Sequence, residues 1–394
     1  MTLSAPLDGY RIIDLTTVVL GPYATQILGD LGAEVIKVEA PGGDIIRQSG
    51  LAPSPEFGSV FMNLNRNKRS IALDLKKPPA AAVLQTLLSQ ADVFVHNIRP
   101  EAMARLGFTY EAVQEWRPEI VYASIVGYGS HGPYAGRPGY DDLMQAVSGA
   151  ASLMSRMDGD PQMRYFPTLI SDKTTGLHVV YAVLAALLHR ERTGRGQFIE
   201  IPMFETTVAF LMTEHMGGHV WRPPLGETGY SRMLHPFNRP FKTQDGFLGI
   251  LPYTDREWRA MLTLGERPDL LDDPRLTDMV TRRAHMGELY ALVEEMTVTK
   301  PTAVWIELLS QHKIPFIHVN DIDTILEDEH LQATGFFEQR DHSSQGGYQA
   351  MRHPVAFSDS PATETRYEPP GIGANGREIL REAGYSEVEI EALI

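Results

Sequence analysis

The chain contains no cysteine, so any nucleophile it uses is a hydroxyl, an amine or a carboxylate. Thiolate metal ligands and disulfides are excluded on the same ground. No G-x-S-x-G elbow occurs and no Walker A sequence occurs. The nearest approach to a dinucleotide fingerprint, GPYATQILGDLG, lacks the G-x-G-x-x-G spacing. It still begins a helix, with Pro22 suited to the first helical position, and the N–H groups after Gly21 can face an anion. His215 and His219 stand four apart in HMGGH, but two glycines separate them and no third ligand is evident, so no metal site is expected. The carboxylate that stands out is Asp172, in ISDKTTGLHVVYAVLAALL, immediately before a long apolar helix. One reading makes it the N-cap of that helix. The other makes it a nucleophile for an activated acyl group, kept ionised by the helix N-terminus.

Positioning such groups needs a scaffold, and the first 200 residues alternate short β-rich runs with helical ones. RIIDLTTVVL, EVIKVEA, RSIALDL, DVFVHN, IVYASIVGYG and QFIEIPM read as strands. YATQILGDLGA, PAAAVLQTLLSQA, EAMARLGFTYEAVQEW, DDLMQAVSGAASLM and TTGLHVVYAVLAALLHRERTG read as helices. That alternation predicts an α/β fold, a parallel sheet covered on both faces. Near residue 220 the chain turns rich in Pro, Gly and aromatics. FKTQDGFLGILPY then reads as a hairpin turning at Gln244–Gly246, followed by three helical segments. A large domain of residues 1–220 plus 326–394 and a smaller α+β domain of 221–325 follow.

The chain has 394 residues, 43% apolar and 22% charged, with net charge −15. That average field disfavours nucleic acid and anionic membranes as partners. No apolar run reaches the ~18 residues of a membrane span. MTLSAPLDGYRII has no basic region leading into an apolar core, so a cytoplasmic setting is expected.

Five blocks in order resemble the CaiB/BaiF proteins, the class III CoA transferases: Asp14–Arg47, Asn63–Lys76, Asp92–Phe108, Gly139–Gly149 and Ser171–Glu205. FKTQDGF and the DREW helix extend the likeness into the second module. The resemblance implies a Rossmann-like large domain, an intertwined homodimer, and acyl-CoA and a small carboxylic acid as substrates. It places the nucleophile at Asp172. Asp172 would attack the thioester to give a mixed anhydride, and CoA thiolate would then form an aspartyl-CoA thioester, which an incoming carboxylate reverses. Coenzyme A contacts carry over to Val19 and Leu20, to Leu73, Asp74, Leu75 and Lys76, and to Asn97, Ile98 and Arg105. Lys76 and Arg105 supply the cations that CoA phosphates require. Ala40 stands where some relatives carry a basic residue, and Arg47 or Arg99 is its expected replacement. Tyr140, followed by Asp141, matches a substrate-side tyrosine. Related racemases use a histidine there, and a phenol is a poor base at neutral pH, so transfer is favoured over racemisation. His131 nearby keeps the racemase open, and a non-catalytic acyl-CoA-binding protein is a third reading. Arg232, His235 and Arg239 are candidates to clamp the second carboxylate of a diacid such as succinate. The glycine-rich loop of formyl-CoA transferases is not recognisable near Leu251–Asp255.

Overall fold

The computed structural model describes residues 5–360 and 365–393. The first four residues of the N-terminal stretch read above lie outside the described residues. Two compact units emerge. The first comprises Met1–Ser148, Phe166–Phe210 and Leu331–Ile394, and the second Gly149–Tyr165 and Leu211–His330.

The first unit is built on six parallel strands: β1 Arg11–Leu15, β2 Glu34–Glu39, β3 Lys68–Ala72, β4 Val93–His96, β5 Val121–Val126 and β6 Gln197–Pro202. Their order is β3-β2-β1-β4-β5-β6, the doubly wound arrangement in which the winding reverses between β1 and β4. The strands are apolar on both faces because helices cover both. Ile13, Ile36, Phe94 and Tyr122 join one core and their neighbours Ile12, Val35, Val93 and Val121 the other. In chain order the helices are α1 Leu20–Asp30, α2 Ser59–Met62, α3 Pro78–Ser89, α4 Pro100–Leu106, α5 Tyr110–Trp116, α6 Asp141–Ser148, α7 Ala151–Asp158, α8 Ile170–Thr193 and α9 Met203–His215. Leu28 of α1 and Val179 and Val183 of α8 fill one face, while Val83 and Leu84 of α3 fill the other. The chain's end returns to that second face, through Ile379, Leu380 and Ile390.

Three sequence expectations change in detail. The first strand stops at Leu15 rather than Leu20, because the Asp14 carboxylate accepts the Thr16 N–H (2.9 Å) and hydroxyl (2.5 Å) and bends the chain away from the sheet. Pro22 is consequently the third residue of α1, where its missing N–H still costs nothing. The run 101–116 is two helices, since Gly107 ends α4 in the left-handed region at φ 82° and Thr109 caps α5.

The second unit contains α7 and the antiparallel sheet β7 Phe241–Lys242, β8 Phe247–Ile250 and β9 Phe316–His318, in that order. Its helices include α10 Asp255–Leu264, α11 Met279–Ala284, α12 Met286–Thr297 and α13 Thr302–His312. Trp258, Leu289, Val293, Met296 and Trp305 form its core.

Candidate active site

Ligands of doubly wound sheets sit at the carboxyl ends of the strands, beside the reversal point. A cavity of about 450 Å³ lies there, lined by the turns after β1, β4 and β5 and by the start of α8. Thr17, Val18, Val19 and Leu20 come from the first turn, and Asn97, Arg99 and Glu101 from the second. The third gives Gly127, Tyr128, Ser130 and the run from Ala135 to Asp141, and Asp172 completes the wall.

Asp172 is the third residue of α8, not its cap: the helix begins at Ile170, and no side chain caps it at Leu169. The capping role is taken by a different carboxylate. Asp141, buried at the start of α6, accepts the Asp172 N–H at 3.0 Å through Oδ1. Its other oxygen accepts Gln145 Nε2 at 2.7 Å. Gln145 in turn accepts the Phe166 N–H at 2.8 Å, which fixes the chain entering α8. Among the described residues the Asp172 carboxylate itself receives no hydrogen bond and no ion pair. Burial first, then the charges of Asp141 and Asp142, push its pKa up to about 7. The expectation of a carboxylate held ionised by the helix is thereby corrected: desolvation and two like charges outweigh the helix end.

The start of α1 meets α8 at Gly176, where a Cβ would lie 2.9 Å from the Leu20 carbonyl oxygen. Glycine there lets the two helix beginnings approach. Among the described residues the N–H groups of Val19, Leu20 and Gly21 have no acceptor, as helix geometry dictates for a first turn. Val18, just before them, sits at φ 72°, a costly conformation for a β-branched residue.

The other sequence candidates sort by strand. Val19, Leu20, Asn97, Arg99, Tyr140, Asp141 and Asp172 share the cavity wall. Leu73, Leu75 and Ile98 pack against the core on the α3 face. Asp74 accepts the Lys76 N–H at 3.3 Å in the turn after β3. Lys76, Arg99 and Arg105 are exposed, and among the described residues none has a carboxylate partner. Arg47 is not available for a phosphate. It is buried, stacked 3.7 Å from the Phe61 ring centre, and joined to Glu39 through Nε at 2.9 Å and its second amino group at 2.7 Å. His131 does not line the cavity.

In the second unit Arg232, His235 and Arg239 all meet α12. Arg232 Nε donates to the Tyr290 hydroxyl at 3.3 Å, and Arg239 pairs with Glu294 at 2.8 Å. The His235 ring fills the space above Gly287, where a Cβ would lie 1.9 Å from Nε2. Their first visible task is to hold the 230–239 loop on that helix. Thr254 and Glu257 form a capping box at the start of α10, near the expected place of a glycine-rich loop. His215 Nδ1 accepts the Tyr230 N–H at 3.3 Å, a packing role.

The residues that sequence reasoning passed over belong to the loop 127–139. It lines the cavity with Tyr128, Ser130 and Arg137, and Glu200 joins it. Glu205 accepts the Gly129 N–H and Glu200 the Ser130 N–H, each at 3.0 Å. Five glycines in thirteen residues were the available signal. Gly127 and Gly139 touch at the loop's neck, where a Cβ on Gly139 would lie 2.7 Å from the Gly127 Cα.

The family model for CoA-transferase family III matches residues 7–376. The succinyl-CoA:glutarate CoA-transferase of Mus musculus is 33% identical over 392 residues, covering 99% of this chain and 89% of the relative. The formyl-CoA:oxalate CoA-transferase of Streptomyces coelicolor is 34% identical over 413 residues, covering 100% and 98%. The crystal structure of a CaiB/BaiF family protein from Brucella suis superposes with TM-score 0.81 at 29% identity, covering 96% of this chain and 100% of that one. This chain belongs to CoA-transferase family III and is an enzyme of the CoA-transferase type.

Proposed function

We propose that the protein moves CoA from an acyl-CoA donor to a carboxylic acid acceptor, with Asp172 as nucleophile. The observation that carries this reading is the Asp172 carboxylate, free of hydrogen bonds, in one cavity wall with the unused N–H groups of Val19 and Leu20. An Asp172 oxygen attacks the thioester carbon, the C–S bond breaks, and CoA thiolate leaves a mixed anhydride on the enzyme. The thiolate then attacks the aspartyl carbonyl and expels the donor acid. The acceptor carboxylate enters by the reverse steps. Each covalent state keeps the energy of the thioester, so the cycle balances without a further reactant. Tyr140, exposed beside Asp172, is placed to orient the acyl group.

Lys76, Arg99 and Arg105 are proposed as phosphate contacts of CoA, because they stand unpaired after β3 and β4. The relatives named for succinate, glutarate and oxalate support a dicarboxylate among the substrates. A succinate-type acid is favoured, since a capping box at Thr254 stands near the place expected for the glycine-rich loop of formyl-CoA transferases. The large unit is read as the CoA-binding domain and the smaller one as shaping the acceptor site. A second copy of the chain is part of the proposal: Leu177, Tyr181 and Leu188 expose an apolar stripe along α8. Sedimentation as a monomer at all concentrations removes the homodimer. Cell fractionation checks the cytoplasmic setting.

The deciding experiment incubates the enzyme with a panel of acyl-CoAs. Covalent CoA on the Asp172 peptide is sought by mass spectrometry after trapping with hydroxylamine or borohydride. An adduct in the wild type that is lost in Asp172→Asn supports transfer. Washout of α-deuterium without an adduct replaces the reading with racemisation. Neither result, with acyl-CoA still bound, leaves a binding protein.

A further inference from the structure

Between β1 and α1 five successive backbone groups are each taken by a side chain. The Thr16 N–H goes to Asp14 Oδ1 at 2.9 Å, and Lys37 Nζ donates to the Thr16 carbonyl at 2.9 Å. Asn97 closes on Thr17 from both sides, accepting its N–H at 3.1 Å and donating to its carbonyl at 2.9 Å. The Val18 N–H goes to Asp44 Oδ1 at 3.1 Å. At Val19 the sequence of side-chain partners stops: among the described residues the N–H groups of Val19 and Leu20, both in the cavity wall, have no acceptor.

Asp44 is the unusual member of this set. It is buried and does not line the cavity. Its other oxygen accepts Lys37 Nζ at 3.0 Å, and its own N–H donates to Glu39 Oε2 at 2.9 Å. Glu39 is in turn locked by Arg47 and by the Ser70 hydroxyl at 2.7 Å. A buried, paired network thus reaches the Val18 N–H, with Asp44 Oδ1 also accepting the Ile46 N–H at 3.1 Å, and it meets a valine held in the costly left-handed conformation at φ 72°. Strain at a cavity wall persists only when its surroundings over-determine it.

We infer that Asp44 is a positioning residue for the transfer reaction: by holding Val18 in the left-handed region it aims the N–H groups of Val19 and Leu20 at the reacting carbonyl. The inference rests on the reading of Asp172 as nucleophile and deepens it. When Asp172 oxygen bonds to the thioester carbon, the carbonyl π pair moves onto oxygen, and it returns when the C–S bond breaks. Two fixed N–H donors at the positive end of α1 stabilise that transient charge. A different Val18 conformation turns them away from that oxygen, and shifts with them the CoA contacts expected of Val19 and Leu20.

The test uses the full-length enzyme and the single-turnover rate of CoA adduct formation at saturating acyl-CoA, with KM measured alongside. Losing part of an oxyanion site predicts that Asp44→Asn slows the adduct about 30-fold even at saturating acyl-CoA, beyond any rise in KM from the Val19 and Leu20 contacts. Val18→Gly in that background restores at least about tenfold, because glycine takes a positive φ without the side-chain penalty. A purely structural Asp44 gains nothing from glycine at 18. Where Asp44→Asn does not fold, Val18→Pro decides: it leaves the Asp44–Lys37 pair in place but forbids positive φ, and a loss of about 30-fold is expected. Wild-type adduct rates in Asp44→Asn or Val18→Pro, or a slow Asp44→Asn that glycine fails to rescue, overturn the inference. If the wild type itself forms no adduct and transfers no CoA, the Asp172 reading falls instead, so the two failures are separable.

Discussion

Asp14 is fully buried at the end of β1, yet its pKa is drawn down to about 2, whereas Asp172, half-buried at the cavity wall, is pushed up to about 7. Burial acts on both in the same direction. Asp14 overcomes it because Lys68 at 3.1 Å, the Lys37 charge and the hydroxyls of Thr16 and Thr25 all favour its ionised form. Asp172 has Asp141 and Asp142 for neighbours and no donor. What separates the two carboxylates is the company each keeps, since burial raises both.

The sharpest break of this comparison removes each carboxyl charge in turn. Asp172→Asn is expected to leave the fold intact and to abolish the covalent adduct, with steady-state transfer falling by more than about 10³-fold, as removal of a covalent nucleophile does. Transfer at near wild-type rate in that variant would move the nucleophile elsewhere. Asp14→Asn is expected to do the reverse, acting on the fold. It strands Lys68, which is already lowered to about 8 by burial and by the repulsion of Lys37, without its main counter-charge. Breaking such a buried pair costs roughly 3–5 kcal/mol. Denaturant unfolding measures it, and a loss under 1 kcal/mol contradicts the account.

The same division runs through the cations. Lys68 and Lys37 answer buried carboxylates, while Lys76 and Arg105 stand exposed after β3 and β4 with no carboxylate partner among the described residues. Lys76→Ala or Arg105→Ala is therefore expected to raise KM for acyl-CoA about tenfold, one charge-assisted phosphate contact, with kcat nearly unchanged. The effect shrinks as salt rises. An unaltered KM at low salt removes that residue from the cofactor surface.

This division also marks how much the sequence could tell. The parallel sheet was legible because its strands are short apolar runs between amphipathic helices. The cavity was legible where residues follow a strand, as at Val19 and Asn97, and at the start of a long helix, as at Asp172. The end of β1 was not legible: TTVVL carries strong strand propensity, and contacts from Asp14, Lys37, Asn97 and Asp44 turn it out of the sheet. No local pattern announces a partner 26 residues away. Asp172 read as a cap for a related reason. A carboxylate at a helix start has one local explanation, and Asp141, which takes the Asp172 N–H instead, arrives from 31 residues earlier. Arg47 read as a spare cation because Glu39 and Phe61, which occupy it, are identified only by the fold.

The finest test uses pH, because the two carboxylates contribute to stability in opposite windows. Asp14 is lowered, so its contribution is present above its unfolded pKa near 4 and disappears as pH falls toward 2. Asp172 is raised, so its contribution is complete below about 4 and is lost as pH climbs to about 7. Asp172→Asn should therefore unfold later than the wild type at pH 8, by about 1–2 kcal/mol once partial solvation is allowed for, and lose that advantage near pH 4. The same titration governs the chemistry, since only the ionised carboxylate attacks. Adduct formation is expected to rise with pH between about 6 and 8. Asp141→Asn keeps an oxygen for the Asp172 N–H but deletes the larger of the two neighbouring charges. The rising limb should move to lower pH, giving a few-fold faster adduct formation at pH 6. Burial, the largest cause, is untouched, so the limb should not return to the range of an ordinary aspartate. A limb that stays in place in Asp141→Asn means that the Asp141 charge does not set Asp172, leaving desolvation and Asp142 against the cations around Asp14.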